Sequence, residues 1–136
     1  MSYFSDELRK AVIARAANHC EYCRLSQDGQ EATFHIDHVV PIAVGGQTEI
    51  ENLALACSLR KGARVKTADA TTGAEVQLFN PRIDKREDQF HWDGVLIVGK
   101  NPVGRATIEV LKMNREQALS IREEESKLSR HPFTKP

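Results

Sequence analysis

No run of about 18 apolar residues occurs in this 136-residue chain, which excludes a conventional membrane-spanning helix. The opening MSYFSDELRK lacks the apolar core of a secretory signal, so a cytoplasmic protein is expected. Net charge is absent as well. Nineteen Lys and Arg balance nineteen Asp and Glu, so affinity for a polyanion has to rest on local clustering rather than on the whole molecule. Cysteine is scarce: three residues, an odd number, build no disulfide framework. Two of them, Cys20 and Cys23, stand as C-x-x-C, which in a reducing compartment points to metal ligation, zinc first. Aromatics make up 6% of the chain, and Phe79, Phe90 and Trp92 read as core rather than as platforms for stacking bases. Neither repeats nor low-complexity segments occur. A chain of this length supports one modest core, so residues 1–136 are expected to form a single domain.

The stretch from Phe34 to Gly62 holds most of the chemistry. Asp37 and His38 lie inside the apolar run Phe34, Ile36, Val39, Val40 and Ile42, a β-branched and aromatic pattern that predicts a strand ended by Pro41. Two ionisable groups there are costly to bury. Side chains alternate along a strand, so Asp37 and His38 face opposite ways, and His35 shares the face of Asp37. A Gly45-Gly46 loop follows, then Asn52, the apolar run Leu53 to Ala56, Cys57, and a basic stretch from Ser58 to Lys66 that suits a helix. Arg60, Lys61, Arg64 and Lys66 gather positive charge without an acid, either as a solvated helix face or as phosphate contacts. A base beside a group that can hold a cation is a pairing suited to hydrolysis. An imidazole, with an ordinary pKa of about 6.5, serves as base near neutral pH, and a carboxylate holds the cation.

Elsewhere the pattern is simpler. Ser5 caps a predicted helix with Asp6 and Glu7 in its first turn and Leu8, Val12, Ile13 and Ala16 along one face. A turn is expected at Thr72-Gly73, and a hairpin at 91–99 around Asp93-Gly94. A helix is expected after Gly104. A last helix, capped by Asn114 with Gln117, runs to about Ser129.

The run D-H-x-x-P-x-x-x-G-G from Asp37 to Gly46, followed by N-L-A-L-A-C from Asn52 to Cys57 and preceded by C-E-Y-C, resembles the HNH endonucleases of the bacterial type with a zinc knuckle. The resemblance covers about residues 12–62, and TTGAEVQLFNPR and GRATIEVLKMNR resemble the continuation in some members. It implies an α+β fold: a ββα-metal core over 12–66 with an N-terminal helix, then an extension over 67–136 with a β-hairpin and one or two helices, packed on the core. It implies metal-dependent hydrolysis of DNA, by nicking or double-strand cleavage. His38 would be the general base and Asn52 the residue that orients it. Asp37 would ligate one Mg, Mn or Ni ion, with His35 as an extra ligand. Arg60, Lys61 and Arg64 would contact DNA phosphate, and Cys20, Cys23 and Cys57 would hold zinc. No membrane partner is implied, and homodimerisation stays open.

One departure matters. Family members carry a second C-x-x-C where this chain reads N-L-A-L-A-C-S-L-R-K-G, shorter by three residues and one thiolate. Cys20, Cys23 and Cys57 then recruit His19, His35, an acid or water as fourth ligand, or hold no metal. Ser58 falls where the helix offers its metal-binding His or Asn, and a hydroxyl is a weaker ligand. The alternative function is an HNH-fold module that binds nucleic acid or protein without cutting.

Overall fold

The computed structural model describes residues 4–28, 34–57 and 66–133. The chain divides into two compact units, Met1–Val65 with Asn80–Ile83, and Lys66–Phe79 with Asp84–Pro136. Both mix helices with short antiparallel strand pairs, so the fold is α+β. No helix among the described residues is long and apolar enough to cross a membrane.

In the first unit α1 (Asp6–Arg15) starts as expected, with Ser5 Oγ accepting the Leu8 N–H at 3.1 Å. It buries Val12 and, just past its end, Ala16. Strand β1 (His35–His38) pairs antiparallel with β2 (Leu53–Ala56), setting Asp37 opposite Ala54 and His38 opposite Leu53. All four residues of β2 are buried, which fits its apolar run. Its outer edge is satisfied by Arg15 and Glu21: the Arg15 guanidinium donates to Leu53 O, while the Glu21 carboxylate accepts the Leu55 N–H at 2.8 Å and the Glu21 backbone N–H donates to Leu55 O at 2.8 Å. A buried strand left with open backbone groups would lose about 1–3 kcal/mol for each.

The first strand is shorter than its apolar run predicts. Beyond His38 the chain leaves the ladder, and Ile42–Val44 form a 3-10 turn with Ile42 and Val44 more than half exposed. β-branched residues there express propensity without burial, and the backbone follows its partner at Asn52 instead.

The second unit contains β3 (Lys66–Ala68) paired with β4 (Glu75–Gln77), α2 (Arg86–Gln89), the hairpin β5 (Phe90–Asp93) with β6 (Leu96–Gly99), α3 (Pro102–Leu111) and α4 (Glu116–Lys127). The predicted hairpin forms around Gly94, whose φ of 61° suits glycine. Its core gathers Leu78, Phe79, Phe90, Ile97, Leu111 and Met113. Helix α3 starts earlier than expected, because Asn101 Oδ1 accepts the Gly104 N–H at 2.8 Å and Pro102 opens the first turn. Gly104 is a contact point rather than a helix start: a Cβ there would lie 2.1 Å from Gln89 O. Asn114 does not cap α4. Its amide is engaged with Ile97, and α4 follows Arg115 without a side-chain cap and ends at Lys127.

Candidate functional site

The C-x-x-C hairpin is tight. Cys20 N–H donates to Leu25 O at 2.8 Å, Arg24 N–H to Cys20 O at 3.0 Å, and Cys23 N–H to Cys20 Sγ at 3.4 Å. Arg24 takes φ of 66° to close the turn. Cys57, at the end of β2, brings its Sγ to 3.4 Å from Cys23 Sγ, and the three sulfur atoms all lie within 4.8 Å of one another. All three are buried. Tetrahedral zinc with Zn–S near 2.3 Å sets sulfurs roughly 3.8 Å apart, so the trio fits a zinc knuckle. Burial pushes the Cys20 thiol well up. At Cys23 the hydrogen bond with Cys20 pulls downward, but Cys57 and burial outweigh it and leave the thiol at about 11. Metal binding therefore has to displace protons.

Neither His19 nor His35 joins the sulfurs: among the described residues the group contains the three cysteines alone. His19 Nδ1 lies 2.7 Å from Ala17 O, and His35 sits half-buried on β1 opposite Ala56. Three thiolates around one Zn²⁺ would leave a net negative charge. The guanidinium of Arg24 follows Cys20 by a few residues and interacts with it electrostatically, although burial lowers its pKa. Glu21 is 7% exposed and pairs with Arg82 and, at 3.8 Å, with Arg15.

Asp37 and His38 take different partners. Asp37 Oδ2 accepts the hydroxyl of Tyr22 at 2.7 Å. Burial, and then Asp37 itself, push the Tyr22 phenol well up, so it remains a donor. His38 Nε2 lies 2.8 Å from Thr48 Oγ1, and its ring is 5.5 Å from that of Phe4. Strand alternation accounts for this divergence.

Asn52 ends the loop that begins at Pro41. Its Oδ1 accepts the Val40 N–H at 2.9 Å, and its Nδ2 donates to Val40 O at 3.0 Å and to Gln47 O at 2.9 Å. The amide thus continues the strand ladder with a side chain and ties down both arms of the loop. Gly46 is required here, since a Cβ on it would fall 1.7 Å from Val40 O. An open depression of about 510 Å³ beside the loop is lined by Val40, Gly45, Gly46, Glu49, Glu51 and Asn52, among others. Its two carboxylates make it a poor seat for phosphate.

For a hard divalent cation the fit is that of a single carboxylate. No trio of His, Asp or Glu ligand atoms gathers at Asp37 among the described residues. Mg²⁺ commonly binds through one or two carboxylates and keeps several waters, and a carboxylate that accepts a hydroxyl retains capacity for a cation. Ser58, Arg60, Lys61 and Arg64 lie outside the described residues, as does most of the expected helix of the ββα core.

Tyr22, Glu21 and Thr48 escaped sequence reasoning. Tyr22 and Glu21 sit inside C-x-x-C, where the spacing draws attention to the thiols. Thr48 carries no signal that distinguishes it from any loop threonine.

Neither the curated proteins nor the solved structures yield a match to the chain. Residues 20–59, which hold the cysteine trio, Asp37, His38 and Asn52, match the family model of the HNH endonucleases, which supports a nuclease-type function in general.

Proposed function

We propose that the protein is a metal-dependent HNH endonuclease that hydrolyses DNA phosphodiester bonds, with His38 as general base, Asp37 as cation ligand and Asn52 as the residue that fixes the loop around them. The observation that carries this reading is the paired hold on the segment after Asp37-His38. Asn52 clamps Val40, two residues beyond His38, and the loop so closed brings Thr48 Oγ1 to 2.8 Å from His38 Nε2. In the tautomer whose Nε2–H donates to Thr48, the imidazole carries its lone pair on Nδ1, the atom that would accept the proton of the attacking water. A divalent cation at Asp37 supplies positive charge to the leaving oxygen when bound. Arg60, Lys61 and Arg64 enter through sequence position, as contacts to backbone phosphate that carry no base information. The cysteine trio would hold zinc and brace the end of β2.

Supercoiled plasmid incubated with Mg²⁺, Mn²⁺ or Ni²⁺ is expected to be nicked or linearised. His38→Ala is expected to lose about 10²–10⁴-fold in rate, the usual worth of a general base. Equal cleavage by both proteins removes the mechanism. The second reading, a binding module without catalysis, draws on Ser58 at the helix ligand position. It is selected by DNA retention that persists in chelator with no cleavage under any of the three metals.

A further inference from the structure

The cysteine hairpin reaches both strands of the site through the two residues between its thiols. Glu21 is bound to Leu55 of β2 through its backbone N–H and its carboxylate. Tyr22 is 4% exposed, and its hydroxyl, at the far end of a packed ring, meets Asp37 Oδ2 of β1 at 2.7 Å. Cys20 and Cys23 flank the pair and are buried. The hydroxyl is therefore placed by groups that are fixed on either side of it. Asp37 belongs to a half-buried strand, where a carboxylate without such a partner samples several rotamers.

We propose that Tyr22 is a positioning residue for the divalent cation: its hydroxyl orients the Asp37 carboxylate for ligation and so links the cation site to the cysteine hairpin. This rests on the reading of Asp37 as the cation ligand. A hydrogen bond from an outer group to a ligating carboxylate sets its orientation and is typically worth 10–100-fold in metal affinity or activity. Nothing about the thiols alone would single out Tyr22. Its role follows from the chain path, which carries the residue between two metal-binding cysteines onto the strand that bears the catalytic pair.

The test compares Mn²⁺ binding by wild type and Tyr22→Phe, followed without DNA by the electron paramagnetic resonance of free Mn²⁺. The variant is expected to bind about 10–100-fold more weakly. Its half-saturating Mn²⁺ for plasmid cleavage should rise by the same factor, its rate should recover at saturating Mn²⁺, and its zinc content and melting temperature should stay those of wild type. Wild-type Mn²⁺ affinity in Tyr22→Phe overturns the proposal. If the variant does not fold, the Tyr22 ¹³Cζ resonance decides, recorded on Tyr3→Phe protein because Tyr3 is the other tyrosine of the chain. A shift that saturates with Mg²⁺ and vanishes in Asp37→Asn supports the role. An unmoved resonance while calorimetry registers Mg²⁺ binding overturns it. Mn²⁺ binding that Asp37→Asn abolishes, without any DNA cleavage, sinks the nuclease reading and leaves Tyr22 in place. Absence of Mn²⁺ binding by wild type sinks both.

Discussion

Two asparagines in different units make the same contact. Asn52 gives Oδ1 to Val40 N–H and Nδ2 to Val40 O; Asn114 gives Oδ1 to Ile97 N–H at 2.9 Å and Nδ2 to Ile97 O at 2.8 Å. Each amide imitates a strand neighbour for one residue. Surroundings separate them. Val40 is 37% exposed, whereas Ile97 is 2% exposed and the Asn114 amide also meets the buried guanidinium of Arg122. Water replaces a lost partner at Val40 but does not reach Ile97. The same geometry therefore holds a core together in one unit and shapes an accessible loop in the other, so the contact alone does not mark a catalytic residue. Asn52 differs from Asn114 in lying one loop away from His38.

The largest expected effect follows at Asn114. Asn114→Ala strands the N–H and carbonyl of a buried residue, at about 1–3 kcal/mol each, and should cost about 2–6 kcal/mol in urea unfolding read from Trp92, the single tryptophan. Asn114→Asp keeps the acceptor and places a carboxylate beside Arg122, so it should lose less. Asn52→Ala should cost only about 1–2 kcal/mol, because solvent takes over the exposed Val40 groups. Its cleavage rate per folded molecule should nevertheless fall by about 10²-fold, the usual consequence of a misplaced reacting group. Equal loss of stability in the two alanine variants would show that solvent access is not what divides them. Unchanged cleavage by Asn52→Ala would break the comparison from the other side.

Both asparagines were visible in the sequence, and Asn114 does not take the capping role expected of it. Asn52 sits in a motif whose spacing encodes a loop between two strands, so its hold on that loop follows from local order. Asn114 precedes Gln117 in a pattern that satisfies a capping box, yet its amide is spent on Ile97, seventeen residues away. Long-range contacts of this kind leave no period in the chain. The exposed pair β3 and β4 escaped for a related reason: with Val76 as the sole apolar residue of β4, no alternation announces a strand. The site divides in the same way. Cys20 and Cys23 were legible from spacing and Cys57 from the resemblance, while Tyr22 and Thr48 were found only once folding had brought them to Asp37 and His38.

A finer version of the comparison lies at Asp69, where burial and charge act together. Asp69 has no exposed surface; Arg105 Nε and Nη2 donate to its two oxygens at 3.2 and 3.0 Å, and the Thr72 hydroxyl donates at 2.8 Å. These bonds, those from Arg105 foremost, hold its carboxyl at about 2 against an ordinary 3.8. A carboxylate depressed by folding stabilises the native state above its unfolded pKa, and that contribution disappears as pH falls through the folded value. The second unit should therefore lose stability between about pH 3.8 and about pH 2. In Asp69→Asn the amide does not titrate, so this part of the acid slope should be missing from thermal unfolding followed by Trp92 fluorescence, although the variant is less stable at neutral pH. A slope as steep in Asp69→Asn as in wild type would mean that other carboxylates carry the acid response, and that the Asp69–Arg105 pair shapes the turn at Thr72 without setting the pH dependence of the unit.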